Sequence, residues 1–452
     1  MQKGCQSPCM VSQFFVFKSA PYDAWTYVLM FTHSFQRLLN VALRGITLAS
    51  KFLLIFFLAR FLEPAELGLY GLITATIGYT LYLLGFDFYA FTTRELIKRE
   101  RNQWGGLLKG QGALTAVLYC VFLPLFCLIF VQQLLPWSLA GWFFALLVLE
   151  HLAQELSRLL IAISEQLMAS LVLFLRSGVW AVAVAALMFS EPESRSLDFV
   201  LGAWTLGGLS ALLVGAYKIM HLKIGGWHQS VDWRWIRKGL KVAIPLLIAT
   251  LAIRGVFTLD RYWVEALAGL EILGAYVLFM GVSSALMSFL DAGVFAFSYP
   301  GLIAAHSKQD ASAFRQGLRK LLGQTLLLTA AFAVIALLLI GPLLQWLDRP
   351  LYMAQENLFP WILLTTVLYA ISMVPHYALY AQGHDRPIIQ SHVASFLAFI
   401  PATWLFSFYS PLLAVPLGLS AAFTLVLLWK SWFFFQLTPA YYRSTRVNQT
   451  PV

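Results

Sequence analysis

Apolar residues along this chain do not fall into one-sided stripes. They gather in runs of about 20 residues, separated by short polar or charged stretches, and a helix of about 20 apolar residues crosses roughly 30 Å of hydrocarbon. On this criterion the pattern predicts about twelve helices. Their spans are about 38–62, 66–90, 113–135, 139–162, 167–189 and 198–218, then 241–263, 271–298, 322–345, 358–381, 388–408 and 412–435. The stretch Leu53–Ile73 shows how one run gives way to the next. Leu53–Phe61 closes the first helix, and Glu63-Pro64 stops it. Proline has no amide hydrogen to donate and disfavours helix in the residue before it. Ala65–Ile73 opens the second helix, with Glu66 near the positive end of its dipole. The predicted element is a tight hairpin whose charges stand in water.

Composition agrees. The chain is 60% hydrophobic and 12% charged, where a soluble domain carries about 25% charged residues. The fold class is an all-α polytopic membrane protein.

Charge adds an orientation. Arg94, Lys98, Arg99, Arg101 and Lys109 follow the second span. Lys218, Lys223, Arg234, Arg237, Lys238 and Lys241 follow the sixth, and Lys308, Arg315, Arg319 and Lys320 the eighth. The alternate loops hold only Arg195 and Arg349. Basic loops stay cytoplasmic, so both termini are predicted to be cytoplasmic. The net charge of +10 is largely this asymmetry. It suits anionic lipid headgroups rather than nucleic acid.

The chain also repeats itself. Gly68-Leu69-Tyr70-Gly71-Leu72-Ile73 aligns with Gly274-Ala275-Tyr276-Val277-Leu278-Phe279, and Tyr89-Ala90-Phe91 with Phe295-Ala296-Phe297, both at a shift of 206 residues (274 − 68 and 295 − 89). The second span therefore maps onto the eighth. Two six-helix halves of like orientation imply a pseudo-two-fold axis along the membrane normal, as in transporters. The expected organisation is an N-terminal segment 1–37, a lobe 38–218, a basic linker 219–240, a second lobe 241–436 and a tail 437–452. Residues 1–29 lack the apolar region and cleavage site of a secretory signal. Met30 is a candidate start; an amphipathic surface segment is the alternative.

Several chemistries find no support. Cys120 and Cys127 share a helix face about 10 Å apart, too far for a disulfide. Cys5 and Cys9 lack zinc-site spacing. Gly105–Gly110 has the wrong order for a phosphate-binding loop. His151 and Glu155 read as a helix-face pair rather than part of a metal motif. No outward loop exceeds about a dozen residues, which argues against an enzyme working on the outer face. No metal or cofactor is implied.

Charges inside the spans are more informative. Arg44 and Lys51 lie seven apart in the first helix, on one face that Arg37 and Thr47 extend. Arg254 and Arg261 repeat that spacing in the seventh helix, with Asp260 beside Arg261. Glu155, Arg158 and Arg176 add to these, and Asp87 and Asp291 stand late in the second and eighth helices. A basic residue at mid-span costs about 2.5–3.5 kcal/mol. Arg44 and Lys51 together nearly cancel the apolar gain of their helix, so they are expected to face a wet cavity. Two basic stripes on one cavity would suit a strongly anionic cargo such as a diphosphate. The plainer alternatives are snorkelling for Arg158 and Arg261, ion pairing for Asp260 and Arg261, structural pairing for Arg44, Lys51 and Arg176, helix-end roles for Asp87 and Asp291, and hydrogen-bonded packing rather than a proton relay for His376.

The stretch "ASKFLLIFFLARFLEPAELGLYGLI", followed by "GFDFYAFTTREL", resembles the start of the polysaccharide-exporter proteins, the oligosaccharide-flippase or O-antigen-translocase family. The matching residues are Leu58-Ala59-Arg60, Leu62, Pro64, Glu66, Gly68-Leu69-Tyr70, Asp87 and Arg94; Glu63 stands where glycine is common. The resemblance implies a fold like multidrug and toxin extruders and lipid II flippases. Two six-helix lobes would enclose a cavity lined by helices one, two, seven and eight. It further implies an oligosaccharide on a polyprenyl diphosphate as cargo, alternating access as the motion, and the bacterial cytoplasmic membrane as the location. A polysaccharide polymerase and a chain-length regulator are the implied partners. Arg44, Lys51 and Arg254, then Arg176, Arg261 and Arg158, are the expected substrate contacts. Asp87, Asp260, Asp291, Glu155 and His376 are the candidates for coupling or gating, with proton or sodium coupling open. A multidrug antiporter of the same fold and a membrane polysaccharide polymerase or ligase are the rival functions. The first would want acidic mid-span residues and the second a large outer loop.

Overall fold

The computed structural model describes residues 24–443, with no side-chain description for residues 24–35 and Arg37. Expectations for the termini and for the Arg37 side chain lie outside the described residues. Twelve helices there are long and apolar enough to cross a membrane, and no strand occurs among the described residues. They are α1 (Leu38–Phe61), α2 (Pro64–Gly85), α3 (Arg101–Val131), α4 (Trp137–Ala162), α5 (Gln166–Ser190) and α6 (Leu197–His221), then α7 (Trp233–Ala268), α8 (Leu270–Ser307), α9 (Ala311–Leu347), α10 (Glu356–Ala381), α11 (Asp385–Ser407) and α12 (Pro411–Leu437). The chain is a multi-pass membrane protein of two six-helix lobes around a central cavity.

Boundaries follow local chemistry. The Glu63 amide donates to Glu66 Oε2 at 3.2 Å, and the Leu197 amide donates to Glu66 Oε1 at the same distance. Glu66 thus caps its own helix and ties the α1–α2 corner to the start of α6. Asp232 caps α7, and Asp310 caps α9. Both helices therefore begin well before their apolar runs, earlier than hydropathy alone predicts. The α7–α8 corner needs a single residue, Gly269, at φ +86°, a conformation that glycine adopts without a steric penalty.

The second helix departs from its predicted span. It ends at Gly85, and Phe86 and Asp87 take left-handed φ angles of 53° and 49° before a short helix at Tyr89–Ile97. Asp87 is therefore buried in a break rather than standing in the last turn of a long helix. Apolar packing holds the break, since Phe88 and Phe91 pack on Trp235 of α7 with ring centroids 5.4 and 5.3 Å apart.

The lobes meet along α2 and α8, and the 206-residue shift appears here as geometry. A Cβ on Gly68 would collide with the Leu270 carbonyl, and one on Gly274 with the Pro64 carbonyl. Pro64 and Leu270 are themselves separated by that shift, as are Gly71 and the Val277 side chain it faces. Reciprocal contacts of this kind are what a pseudo-two-fold axis between α2 and α8 produces. Small residues let the backbones approach.

The same face is fastened by charge. Arg60 Nη1 donates to the Trp346 carbonyl at 3.0 Å, and the guanidinium lies 4.5 Å from the Trp346 ring. Arg349 donates to the carbonyls of Arg60 and Leu62 and reaches Glu63 Oε1 at 3.3 Å. The charged interruption Arg60–Glu63 is thus half of an inter-lobe clasp.

Candidate functional site

A cavity of about 1360 Å3 lies between the lobes, larger than the roughly 300–1,000 Å3 that suits a drug-sized ligand. Helices α1, α2, α7 and α8 line it, joined by parts of α4, α5, α6 and α10. Four cations stand on its wall, Lys51, Arg176, Arg254 and Arg261, against two carboxylates, Glu150 and Asp291. The wall is therefore net positive.

The cations differ in how far they are committed. Arg176 Nε donates to Glu150 Oε2 at 2.5 Å, and Nη2 donates to Gln154 Oε1 at 3.2 Å. Glu150 also accepts from Trp204 Nε1 at 2.7 Å. Glu150 is buried and takes both donors, and Arg176 is committed to it. Lys51 and Arg254 have no carboxylate within 4 Å among the described residues, and Arg254 sits 5.4 Å from the Tyr82 ring. Arg261 donates from Nη1 to the Phe257 carbonyl at 2.7 Å, while its Nε is buried without a partner among the described residues. Three cations thus have hydrogen-bonding capacity to spare on one cavity.

Backbone irregularity places two of the charged wall residues. Arg176 falls in a wide π-type turn, Leu175–Val179, inside α5, and Asp291 in a second one, Asp291–Phe295, inside α8. Such turns add a residue to the helical circuit and concentrate at functional sites. Trp180 Nε1 donates to the Arg176 carbonyl at 2.9 Å, satisfying a group the wide turn loosens. Aromatic rings fill much of the remaining wall, including Tyr70, Phe257, Tyr369 and Tyr377.

The other candidates stand elsewhere. Arg44 is not on the cavity wall; its Nε donates to Ser170 Oγ at 2.9 Å, and Ser170 bonds in turn to Asn40. It shares a helix with Lys51 but ties α1 to α5. Arg158 pairs with Glu155 at 2.7 Å and lies 3.7 Å from the Tyr89 ring. Glu155 also accepts from Gln111 at 2.6 Å, so this group braces α3, α4 and the short helix. His151 bonds Tyr119 at 2.8 Å rather than Glu155. Asp260 is wholly buried, accepting from Tyr276 Oη and from the Arg261 amide, both at 2.7 Å. Its contact with Arg261 is thus through the backbone, not the guanidinium. His376 stands in the second lobe with Nδ1 buried and unpartnered, which departs from the hydrogen-bonded packing expected of it.

The family model described as polysaccharide biosynthesis protein matches residues 38–302. The chain belongs to that family. Among solved structures, the fold of this family member is similar to the inward-facing conformation of a multidrug resistance MATE family transporter of the MOP superfamily. That match has a TM-score of 0.72 at 13% identity and covers 88% of this chain and 98% of the other. The lipid II flippase MurJ in its inward closed conformation gives a TM-score of 0.68 at 11% identity, over 88% and 87% of the two chains. An outward-facing conformation of a MATE transporter gives 0.54 at 13% identity, over 89% and 95%. No curated protein sequence matches the chain.

Three features of the wall were not among the residues singled out from sequence. Glu150 is a mid-span carboxylate, itself a signal, and it is the residue that commits Arg176. Trp204 carries no charge, and only its indole N–H marks it. The aromatic wall also follows no spacing that separates it from ordinary core.

Proposed function

We propose that this polysaccharide biosynthesis family member is a flippase. It would carry an oligosaccharide linked to a polyprenyl diphosphate across the bacterial cytoplasmic membrane, with both termini cytoplasmic. The observation that carries this reading is the large cavity between two lobes, with four cations against two carboxylates. A diphosphate accepts charge-assisted hydrogen bonds from several donors at once. Lys51, Arg254 and Arg261 have that capacity free, and Arg176 stands beside them, held by Glu150. The aromatic wall offers faces against which sugar rings pack. A polyprenyl chain needs no protein pocket of its own, because it stays in the bilayer.

Family membership supports the glycan, and the fold supports transport by rocking of the two lobes. The Arg60–Arg349 clasp and the α2–α8 crossing close one face, so the state described is best read as shut to the outside, with the cargo path on the basic, cytoplasmic side. The excess of wall cations disfavours export of cationic drugs. A polysaccharide polymerase and a chain-length regulator are natural consumers of the product, and we place the protein as a transporter, not an enzyme, upstream of them.

The reading is tested by binding. The purified chain in nanodiscs should bind a polyprenyl-diphosphate oligosaccharide, and Lys51→Ala with Arg254→Ala should abolish that binding while the folded protein still accumulates. Unchanged binding by that double variant would refute the role assigned to the basic wall.

A further inference from the structure

Outside the central cavity, a groove of about 380 Å3 lies at the end of the bundle where the basic linker after α6 folds back. Leu156 of α4, Ala216 and Met220 of α6, and Ile224 and Trp227 of that linker supply its apolar wall. Lys223 is its one charged lining residue among the described residues. The groove opens on the bilayer. Leu206, Leu209, Leu213, Tyr217 and Met220 are exposed and recur at steps of three and four residues along α6, the spacing of one helix face. In a spanning helix such a face meets acyl chains, and this one ends on the groove. Met220 is 72% exposed there and Trp227 49%.

The linker is tied down beside the groove. The Gly105 amide donates to the Gly225 carbonyl at 2.8 Å, and the Gly225 amide donates to the Arg101 carbonyl at 3.3 Å. A Cβ on Gly105 would lie 2.5 Å from the Gly225 oxygen, and one on Gly225 would lie 2.9 Å from the Asn102 backbone. Glycine permits this close approach of the linker to the start of α3. Lys223, two residues earlier, takes a φ of +49°, and Trp227 follows two residues later, so both flanks of the turn reach the groove. Neighbouring charges are spent. Lys218 pairs with Glu165 at 3.0 Å. Lys109 donates to the carbonyls of Gln229 at 3.1 Å and Trp227 at 3.5 Å. Asp232, the acid of the linker, accepts from the amides of Arg234 and Trp235. Lys223 has no carboxylate within 4 Å among the described residues.

We infer that this groove binds one anionic phospholipid from the leaflet on the basic side of the membrane. The phosphodiester meets the Lys223 ammonium. Trp227, amphipathic and half-exposed, lies at the level of the glycerol and ester groups. An acyl chain runs along Leu156, Ala216 and Met220 into the stripe on α6. Basic pockets between spanning helices on the cytoplasmic side suit anionic headgroups. Charge selects the occupant more narrowly. One free cation matches the single charge of a phosphodiester, whereas a diphosphate takes several donors at once, and those stand in the central cavity. Position gives the site a consequence. The linker leads straight into α7, which carries Arg254 and Arg261 on the cavity wall. A lipid in the groove fastens that linker to α4 and α6 of the first lobe. The inference goes beyond the transport reading and does not depend on the cargo.

The test uses the full chain in phosphatidylcholine nanodiscs doped with phosphatidylglycerol that carries a photoreactive diazirine on its acyl chain. After irradiation, labelled peptides are mapped by mass spectrometry and normalised to the lipid-facing part of α9 around Leu338, which is exposed. The proposal expects label around Leu156, Ala216 and Met220, competed by unlabelled phosphatidylglycerol and not by phosphatidylcholine of the same chains. Lys223→Gly suits the left-handed backbone at that position. It is expected to lower the label about fivefold, the worth of one basic contact at a membrane surface, and Lys223→Arg to keep it. Ala216→Trp fills the groove and is expected to abolish the label with Lys223 in place; should that variant fail to fold, the two Lys223 variants still decide. Label unchanged in Lys223→Gly, or equal label from a phosphatidylcholine probe, would overturn the proposal. So would stronger competition by a polyprenyl phosphate than by phosphatidylglycerol, which makes the groove a carrier-lipid site. Competition by inorganic phosphate alone would overturn it too, because the ligand would then be a free anion.

Discussion

At the scale of single residues, partners decide function more than position in a span. Arg44 and Lys51 share a helix face, and sequence spacing made them one pair. Ser170 and Asn40 take up the first, and the second faces the cavity. Arg44→Ala is therefore expected to lower thermal stability and leave affinity for a polyprenyl-diphosphate probe unchanged. Lys51→Ala removes a charge-assisted donor worth about 1.5–3 kcal/mol, roughly ten- to a hundredfold in Kd. Titration calorimetry on the two variants separates the roles, and equal losses would put Arg44 back on the wall. Glu150 supplies the converse case. Glu150→Gln keeps an acceptor for Trp204 but leaves Arg176 without its counter-charge, and breaking a buried pair from one side costs about 3–5 kcal/mol. A melting temperature equal to the parent's would show that Arg176 finds another partner. Charge inside a span was legible in the sequence. Which charge is spent on a neighbour was not, because Ser170 and Arg44 are 126 residues apart and Glu150 and Arg176 are 26 apart.

At the scale of elements, hydrophobic run length located all twelve spans among the described residues, with most ends within a few residues. The third helix begins at Arg101 instead of 113, and the eighth runs to Ser307 instead of 298; the misses at α2, α7 and α9 have local causes. Asp caps extend α7 and α9 past their apolar runs, and a left-handed Phe86-Asp87 break cuts α2 short. The two π-type turns left no mark that composition could show, yet they place Arg176 and Asp291 on the cavity wall. The repeat at 206 residues was legible from short matches, and its meaning is the reciprocal fit of Gly68 and Gly274 against the opposite backbone. Gly274→Leu is expected to wedge α2 from α8. Arg349→Ala removes the donor that holds the Arg60 and Leu62 carbonyls. Spin labels placed on either side of this face should report longer distances in both variants. Distances identical to the parent's would mean that the clasp does not hold this state.

At the scale of the whole molecule, two lobes enclose a basic cavity and fasten one face with a clasp. The fold was largely legible in the sequence because a bilayer imposes length and polarity on every span. The cavity's composition was half legible, since aromatic wall residues carry no charge and follow no distinctive spacing. The central claim is that this fold moves a lipid-linked glycan. The most direct measurement places the purified chain in sealed vesicles holding a labelled polyprenyl-diphosphate oligosaccharide and follows how much label an impermeant reagent reaches. The account expects the protein to expose the inner-leaflet pool, and Lys51→Ala with Arg254→Ala to leave it protected. A pool equally protected with and without the protein, under an imposed pH gradient and with a matched sugar, would contradict it.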